Sequence, residues 1–196
     1  MIYILLLCGK SCSGKDFLKR ELLKLGYEGV VTYTTRPPRE GEEDGVAYHF
    51  VSNEEFVRKL ASGFFAESTS YNVATGETWY YGTAKEDLTG DKVIIMNPDG
   101  LKAVLKIKGV NPVSFLIEAD DNIRWKRLAK RGDDIEEVYR RMNADEQDFY
   151  EIENIVDARV FNGGHTSAKT LVSYIDKKYK EICRERHEKE ALAYTE

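Results

Sequence analysis

Cysteine is scarce in this chain: Cys8, Cys12 and Cys183 are all that 196 residues contain. An odd number without metal-ligand spacing excludes a disulfide framework and makes a reduced, cytoplasmic compartment the default expectation. Long apolar runs are missing too. The longest early one, Ile2 to Cys8, falls far short of the roughly 20 residues that cross a membrane. It reads as a buried strand, and no membrane partner is expected. Nor is there a surplus of positive charge, since 29 Lys and Arg against 34 Asp and Glu leave a formal charge of −5. That balance argues against a general nucleic-acid binder, whose phosphate contacts need a basic surface. The three histidines, His49, His165 and His187, supply no persuasive Ser-His-Asp or Cys-His set. Internal repeats, low-complexity tracts and linkers are absent as well, which favours one domain.

What is present suits an α/β fold. Hydrophobic residues make up 42% of the chain, enough for a substantial core. The continuous apolar strand at residues 2–8 is of the kind covered on both faces in a parallel sheet. A helix over residues 15–25 should bury Phe17, Leu18, Leu22 and Leu23. Extended chain at 27–35, a polar loop at 36–45 stiffened by Pro37 and Pro38, and a short strand at 46–51 follow. Asn53 is placed to cap a helix containing Phe56, Val57 and Leu60. Strands at 64–68 and 79–82 flank a polar loop through Asn72 and Gly76. Further strands at 93–96, 113–117 and 158–161, with helices at 101–107 and 122–130, give βαβ alternation. Residues 131–149 form a charged helical segment, and a long charged helix begins at Ser167.

The first strand runs directly into Gly9-Lys10-Ser11-Cys12-Ser13-Gly14-Lys15-Asp16. This is the G-x-x-x-x-G-K part of a P-loop in its strand–loop–helix setting. Glycines let backbone N–H groups converge on phosphate oxygens, the helix start adds positive potential, and Lys15 supplies a mobile cation. Cys12 inside this loop is expected to be structural or neutral. Asp16 stands where Ser or Thr normally offers a hydroxyl to Mg²⁺. A carboxylate is also a hard oxygen ligand, able to hold the ion directly or through water. A second anion site is indicated by Thr34-Thr35-Arg36-Pro37-Pro38-Arg39. Arg36 and Arg39 can grip a monophosphate with planar, bidentate hydrogen bonds, Tyr48 and Tyr81 can add neutral donors, and the prolines limit the loop's freedom.

With these residues in view the chain resembles the guanylate kinase family. The resemblance rests on the P-loop, the block TTRPPREGEEDGVAYHFVS, FAE around Glu67 and YYGT ending at Thr83. It continues through KRLAKRG and YRR to VFN at Asn162. It implies a three-layer P-loop NTPase core with a parallel sheet (residues 1–31, 84–127 and 150–196), a small mixed β insertion binding the nucleoside monophosphate (32–83), and a helical lid (128–149). ATP would be the donor, Mg²⁺ the metal, and GMP or dGMP the acceptor, in a monomer or homodimer. By motif position Arg36, Arg39, Tyr48 and Tyr81 hold the monophosphate, while Thr32, Glu67 and Thr83 address guanine. Asn162 is either an adenine-side contact or a loop-capping asparagine. Arg127, Arg131, Arg140 and Arg141 become candidates for neutralising the transferring phosphoryl group. Arg140 and Arg141 diverge around a helix, so one of them is expected to reach the site.

Two departures from the family pattern stand out. The segment between Glu67 and Tyr81 is several residues longer than the usual family hairpin. Ile95 and Asn97 replace the two acids of a D-x-D-x-Q-G sequence, leaving Asn97 as a GMP ligand without charge and Asp99 as a metal candidate that can compensate. A different acceptor nucleotide, or an interaction module with little turnover, is the alternative these departures keep open.

Overall fold

The computed structural model describes residues 2–73, 76–131 and 135–193, with the side chains of Ile2, Arg131 and Glu137 outside the description. Strand β1 (Ile2–Cys8) lies at the middle of the fold and leads into helix α1 (Lys15–Lys24). Two short strands, β2 (Glu28–Gly29) and β3 (Tyr33–Thr34), precede β4 (His49–Phe50) and helix α2 (Asn53–Ala61). A hairpin of β5 (Phe65–Asn72) and β6 (Thr78–Ala84) comes next, then β7 (Lys92–Ile95), α3 (Pro98–Val104) and β8 (Val110–Glu118). Helices α4 (Asp121–Arg131) and α5 (Ile135–Asp148), strand β9 (Ala158–Phe161) and the long α6 (Ala168–Ala193) complete the order.

The main sheet has the order β2-β7-β1-β8-β9, and every pairing in it is parallel. Because side chains alternate along a strand, β1 serves two cores. Leu5 and Leu7 join Leu18, Leu22, Val172 and Ile175 on the α1 and α6 side. Ile4, Leu6 and Cys8 join Ile94, Leu101 and Val104 on the α3 side. All five of these β1 residues are fully buried. Each buried leucine contributes about 1.5–3 kcal/mol relative to an exposed one, so the strand is anchored from both faces. The three-layer P-loop architecture expected from the sequence is thereby present.

The second sheet, ordered β4-β3-β6-β5, is mixed: β3 runs parallel to β4 and antiparallel to β6. It carries the residues between Tyr33 and Ala84, apart from the main sheet.

Several local expectations need correction. Phe17 and Leu23 are each 39% exposed, because α1 buries only the narrow Leu18–Leu22 stripe. The cap of α2 is Ser52, whose hydroxyl accepts from the Glu55 N–H at 3.1 Å, so Asn53 is the first helical residue. Helix α3 starts at Pro98, three residues before the expected 101. The Asn97 side chain caps it by accepting from the Gly100 N–H at 2.8 Å, and a proline is well tolerated in a first turn. The β5–β6 hairpin is also longer than read from sequence, with regular pairing out to Asn72 and Thr78.

Candidate functional site

The phosphate loop leaves β1 at the carboxyl edge of the parallel sheet, where open α/β folds place their ligands. Its shape depends on two glycines. A Cβ on Gly9 would come 2.3 Å from the Ile117 carbonyl oxygen. Gly14 has a φ of +102°, and a Cβ there would lie 2.2 Å from the Asn162 amide nitrogen. The Lys15 ammonium curls back over the loop to the carbonyl oxygens of Gly9 and Lys10. Burial pushes its pKa down, against the pull of Asp16 and more distant groups. Asp16 itself is exposed in the first turn of α1.

The rest of the loop is held from outside. Asn162 donates to the Ser13 carbonyl at 2.9 Å and so braces the phosphate loop from a distant segment. Arg127 donates to the carbonyls of Cys12 and Ser13 at 3.0 and 3.1 Å and to that of Asn162 at 3.1 Å. Cys12 packs on the small apolar cluster of Leu128, Val138 and Met142. Lys10 pairs with Glu146 of α5.

A cleft of about 310 Å³ opens beside this loop, lined by Gly9, Ser11 and Lys15 on one side. The mixed sheet and its loops supply Thr32, Arg36, Arg39, Tyr48, Tyr81 and the Glu67–Thr83 pair to the same cleft. Arg36 is only 4% exposed. Its Nη2 donates to both Glu42 carboxylate oxygens, at 2.9 and 2.8 Å, and its Nη1 donates to the Pro37 carbonyl at 2.7 Å. Glu42 also accepts from the Arg39 N–H at 2.8 Å. Burial alone would raise the Glu42 carboxyl, but the Arg39 N–H and the Arg36 guanidinium outweigh it and hold it below the usual range. Tyr48 lies beneath the Arg36 guanidinium, 5.4 Å from its ring centroid. Burial, with Asp16 next, pushes the Tyr48 hydroxyl up to about 12, so it stays a donor.

Glu67 and Thr83 face each other across the hairpin, and the threonine hydroxyl donates to Glu67 Oε1 at 2.5 Å. Burial raises the Glu67 pKa, opposed by hydrogen bonds from Thr83. Asn97 lines the cleft, but its two side-chain atoms are committed to the α3 cap and to the Tyr71 hydroxyl. Asp99 is exposed at the start of α3. Among the described residues no three His, Cys, Asp or Glu side chains converge to hold a metal ion, so Asp16 and Asp99 do not complete a protein cage.

Helix α5 lies along the cleft and brings both Arg140 and Arg141 to it, where one had been expected. The Arg131 side chain and residues 132–134 lie outside the described residues. Sequence reasoning missed the contact that ties this helix to the loop. Asp145 of α5, 7% exposed, accepts from the Ser11 N–H at 2.8 Å and from the Ser11 hydroxyl. Arg124 of α4, 1% exposed, donates to the Ser11 carbonyl at 2.9 Å, to Asp121 at 2.7 Å and to Asp145. Helical spacing held the signal: Arg124 lies four residues before buried Leu128, and Asp145 three after buried Met142.

The arrangement brings the P-loop with its Lys15 ammonium and a group of guanidiniums and phenols to one cleft, chemistry suited to anions. At another part of the cleft the half-buried Glu67 carboxylate lies beside the Thr83 hydroxyl, an acceptor suited to N–H donors. Known proteins resemble this chain over most of its length. A family model described as guanylate kinase matches residues 2–177. A guanylate kinase of Helicobacter hepaticus is 29% identical over 92% of this chain and 94% of its own. One from Neisseria gonorrhoeae is 34% identical over 70% of this chain and 69% of its own. The crystal structure of guanylate kinase from Anaplasma phagocytophilum superposes with a TM-score of 0.70 at 20% identity, covering 92% of this chain and 86% of that one, which supports the fold. With the family model spanning nearly the whole chain, this protein belongs to the guanylate kinase family.

Proposed function

We propose that this protein is a nucleoside monophosphate kinase that moves the γ-phosphate of ATP onto GMP or dGMP. One observation supports this most strongly: Lys15 of the phosphate loop and the Arg36, Arg39, Tyr48 and Tyr81 group line a single cleft. Phosphoryl transfer asks mainly for alignment and charge neutralisation, with no demanding covalent chemistry on the protein. The loop amides and Lys15 would cradle the donor phosphates, and Lys15 would exchange its two carbonyl partners for phosphate oxygens. Arg36 is held by Glu42 before any ligand arrives, so its remaining N–H groups meet the acceptor phosphate with little reorganisation. Arg39, Tyr48 and Tyr81 would complete that pocket.

At the base end, Glu67 would accept from guanine N1–H and the exocyclic amine, and Thr32 and Thr83 would serve O6. Adenine would leave these polar groups, half-buried or buried, unpaired, which is the stronger form of discrimination. Arg140 and Arg141 would neutralise the phosphoryl group in flight, with Arg127 and Asn162 holding the loop in shape. The described parts of residues 32–83 and 128–149 would close around the core and exclude water. Solution scattering with a bisubstrate analogue should show compaction, and an unchanged radius of gyration would refute closure.

Magnesium fits the residues present. Asp16 follows Lys15 in the first turn of α1, and its charge acts on Lys15 and on Tyr48, both of which line the cleft. Asp16, directly or through water, would hold the ion together with phosphate oxygens, and Asp99, exposed at the start of α3, is the other carboxylate proposed for it. The ion, when bound, supplies charge neutralisation on the phosphates. An ATP-coupled assay across GMP, dGMP, AMP, dTMP and CMP tests the whole reading. Turnover confined to the guanine nucleotides is expected, and no turnover with any of the five would refute it.

A further inference from the structure

The two departures of this sequence from its family meet at one point in space. The hairpin is long enough for β5 to continue past Thr69 to Tyr71, and strand alternation puts Glu67, Thr69 and Tyr71 on one face, all lining the cleft. Tyr71 reaches Asn97, the residue that stands where the family carries an acid. The direction of their hydrogen bond follows from the helix cap. Asn97 Oδ1 accepts from the Gly100 N–H at 2.8 Å, so Nδ2 is the atom left to donate to the Tyr71 oxygen. A phenol that accepts in this way keeps its own proton free to donate elsewhere.

The surroundings define where that proton can go. On one side is the base-reading end: a Cβ on Gly100 would lie 3.0 Å from Asn97 Oδ1 and 3.2 Å from Glu67 Oε2. On the other side is the phosphate end. The Tyr71 ring meets the Tyr81 ring edge-on at 5.7 Å, and Tyr81 meets Tyr48 at 6.2 Å. A nucleotide spanning from Glu67 to Arg36 presents its sugar to the gap between these ends. We infer that Tyr71 is a further acceptor-binding residue, donating a hydrogen bond to a hydroxyl of the nucleotide sugar and reading it by that contact. Burial pushes the Tyr71 hydroxyl up to about 12, which keeps it a donor through the neutral range. Asn97 orients the phenol and has no direct part in the contact. This assignment rests on the guanine-nucleotide reading of the cleft.

The test compares wild type with Tyr71→Phe on GMP, its 2′-deoxy form and its 3′-deoxy form, with calorimetry alongside kinetics. Wild type should bind one of the two deoxy nucleotides about 3- to 10-fold more weakly than GMP, the range of one neutral hydrogen bond. Which analogue suffers identifies the hydroxyl. In Tyr71→Phe the KM for GMP should rise by the same factor and the discrimination should vanish, with KM for ATP and the melting temperature unchanged. Equal wild-type affinity for all three nucleotides would overturn the assignment whatever the variant does. So would full discrimination in Tyr71→Phe. Failure of wild type to bind or phosphorylate any guanine nucleotide would refute the function itself, and is distinguishable from both.

Discussion

Replacing Arg124 by methionine should be among the most damaging single changes outside the nucleotide contacts. The guanidinium is 1% exposed and divides its donors among the Ser11 carbonyl, Asp121 and Asp145. Methionine fills much of the volume but leaves the Asp145 carboxylate, 7% exposed, without its cation. Breaking one side of a buried pair costs about 3–5 kcal/mol, a large share of the roughly 5–15 kcal/mol that holds a domain folded. The loss should depend on pH. Burial already raises the Asp145 pKa, against the Ser11 N–H and Arg124. Without Arg124 it rises further, so the penalty is full above that folded pKa and is relieved as pH falls through it. Equilibrium urea unfolding followed by circular dichroism, at about pH 8 and about pH 5.5, would measure both effects. A double variant, Arg124→Met with Asp145→Leu, should recover part of the loss. The Ser11 N–H would still lack its acceptor, leaving about 1–3 kcal/mol unrecovered. A cost below about 1 kcal/mol for Arg124→Met, or strict additivity in the double variant, would refute the reasoning.

Three further outcomes are expected. Lys15→Met should cut kcat by about 10²–10³, the usual cost of one charge-stabilising donor, while the melting curve stays in place; an unchanged rate would refute the role given to Lys15. Gly14→Ala forces a side chain into a left-handed backbone and onto Asn162, so ATP affinity should fall more than GMP affinity in calorimetry. Equal affinities to wild type would contradict the bracing of the loop by Asn162. Because burial raises the Glu67 pKa, and guanine needs its ionised form, kcat/KM for GMP should fall with acid at a pH above the ordinary carboxylate range. Glu67→Gln should be slow at every pH and lack that limb, and an identical limb in this variant would assign it to another group.

Much of the scaffold was legible because its signals are local. β1 and β9 fall at the bounds read from residues 2–8 and 158–161, since continuous apolar runs and strand-to-turn changes need no distant partner to be recognised. Helix boundaries shifted where a side chain outside the periodic stretch did the capping, as Ser52 and Asn97 do. Phe17 and Leu23 show the complementary error, because apolar type alone does not say how wide a stripe the tertiary contacts will cover. The cleft is lined by Lys15, Arg36, Arg39, Tyr48, Glu67 and Tyr81 of the motif residues, whereas Asp16, Asp99, Arg127 and Asn162 are not among its lining, and residues acting through a partner were hidden from the sequence. Asp145 with Arg124 fastens Ser11 to α5 through contacts more than a hundred residues apart in the chain, while Glu42 organises Arg36 from only six residues away, through a loop path that periodicity does not reveal. Tyr71 was within reach of sequence reasoning, had strand alternation been carried past Ser68 along the longer hairpin.

The central place of β1 has a consequence for how this protein is made. Its strand partners are contributed by residues 92–95 and 110–118, and the outer supports of the loop that follows it come from Arg127 and Asn162. A nascent chain therefore carries the P-loop motif once Asp16 is made, yet lacks the last support of that loop until Asn162, 146 residues further on, has emerged. Chains interrupted before Asn162 should display the motif in writing and ignore ATP in solution, and long-range closure of this kind sets the pace of assembly.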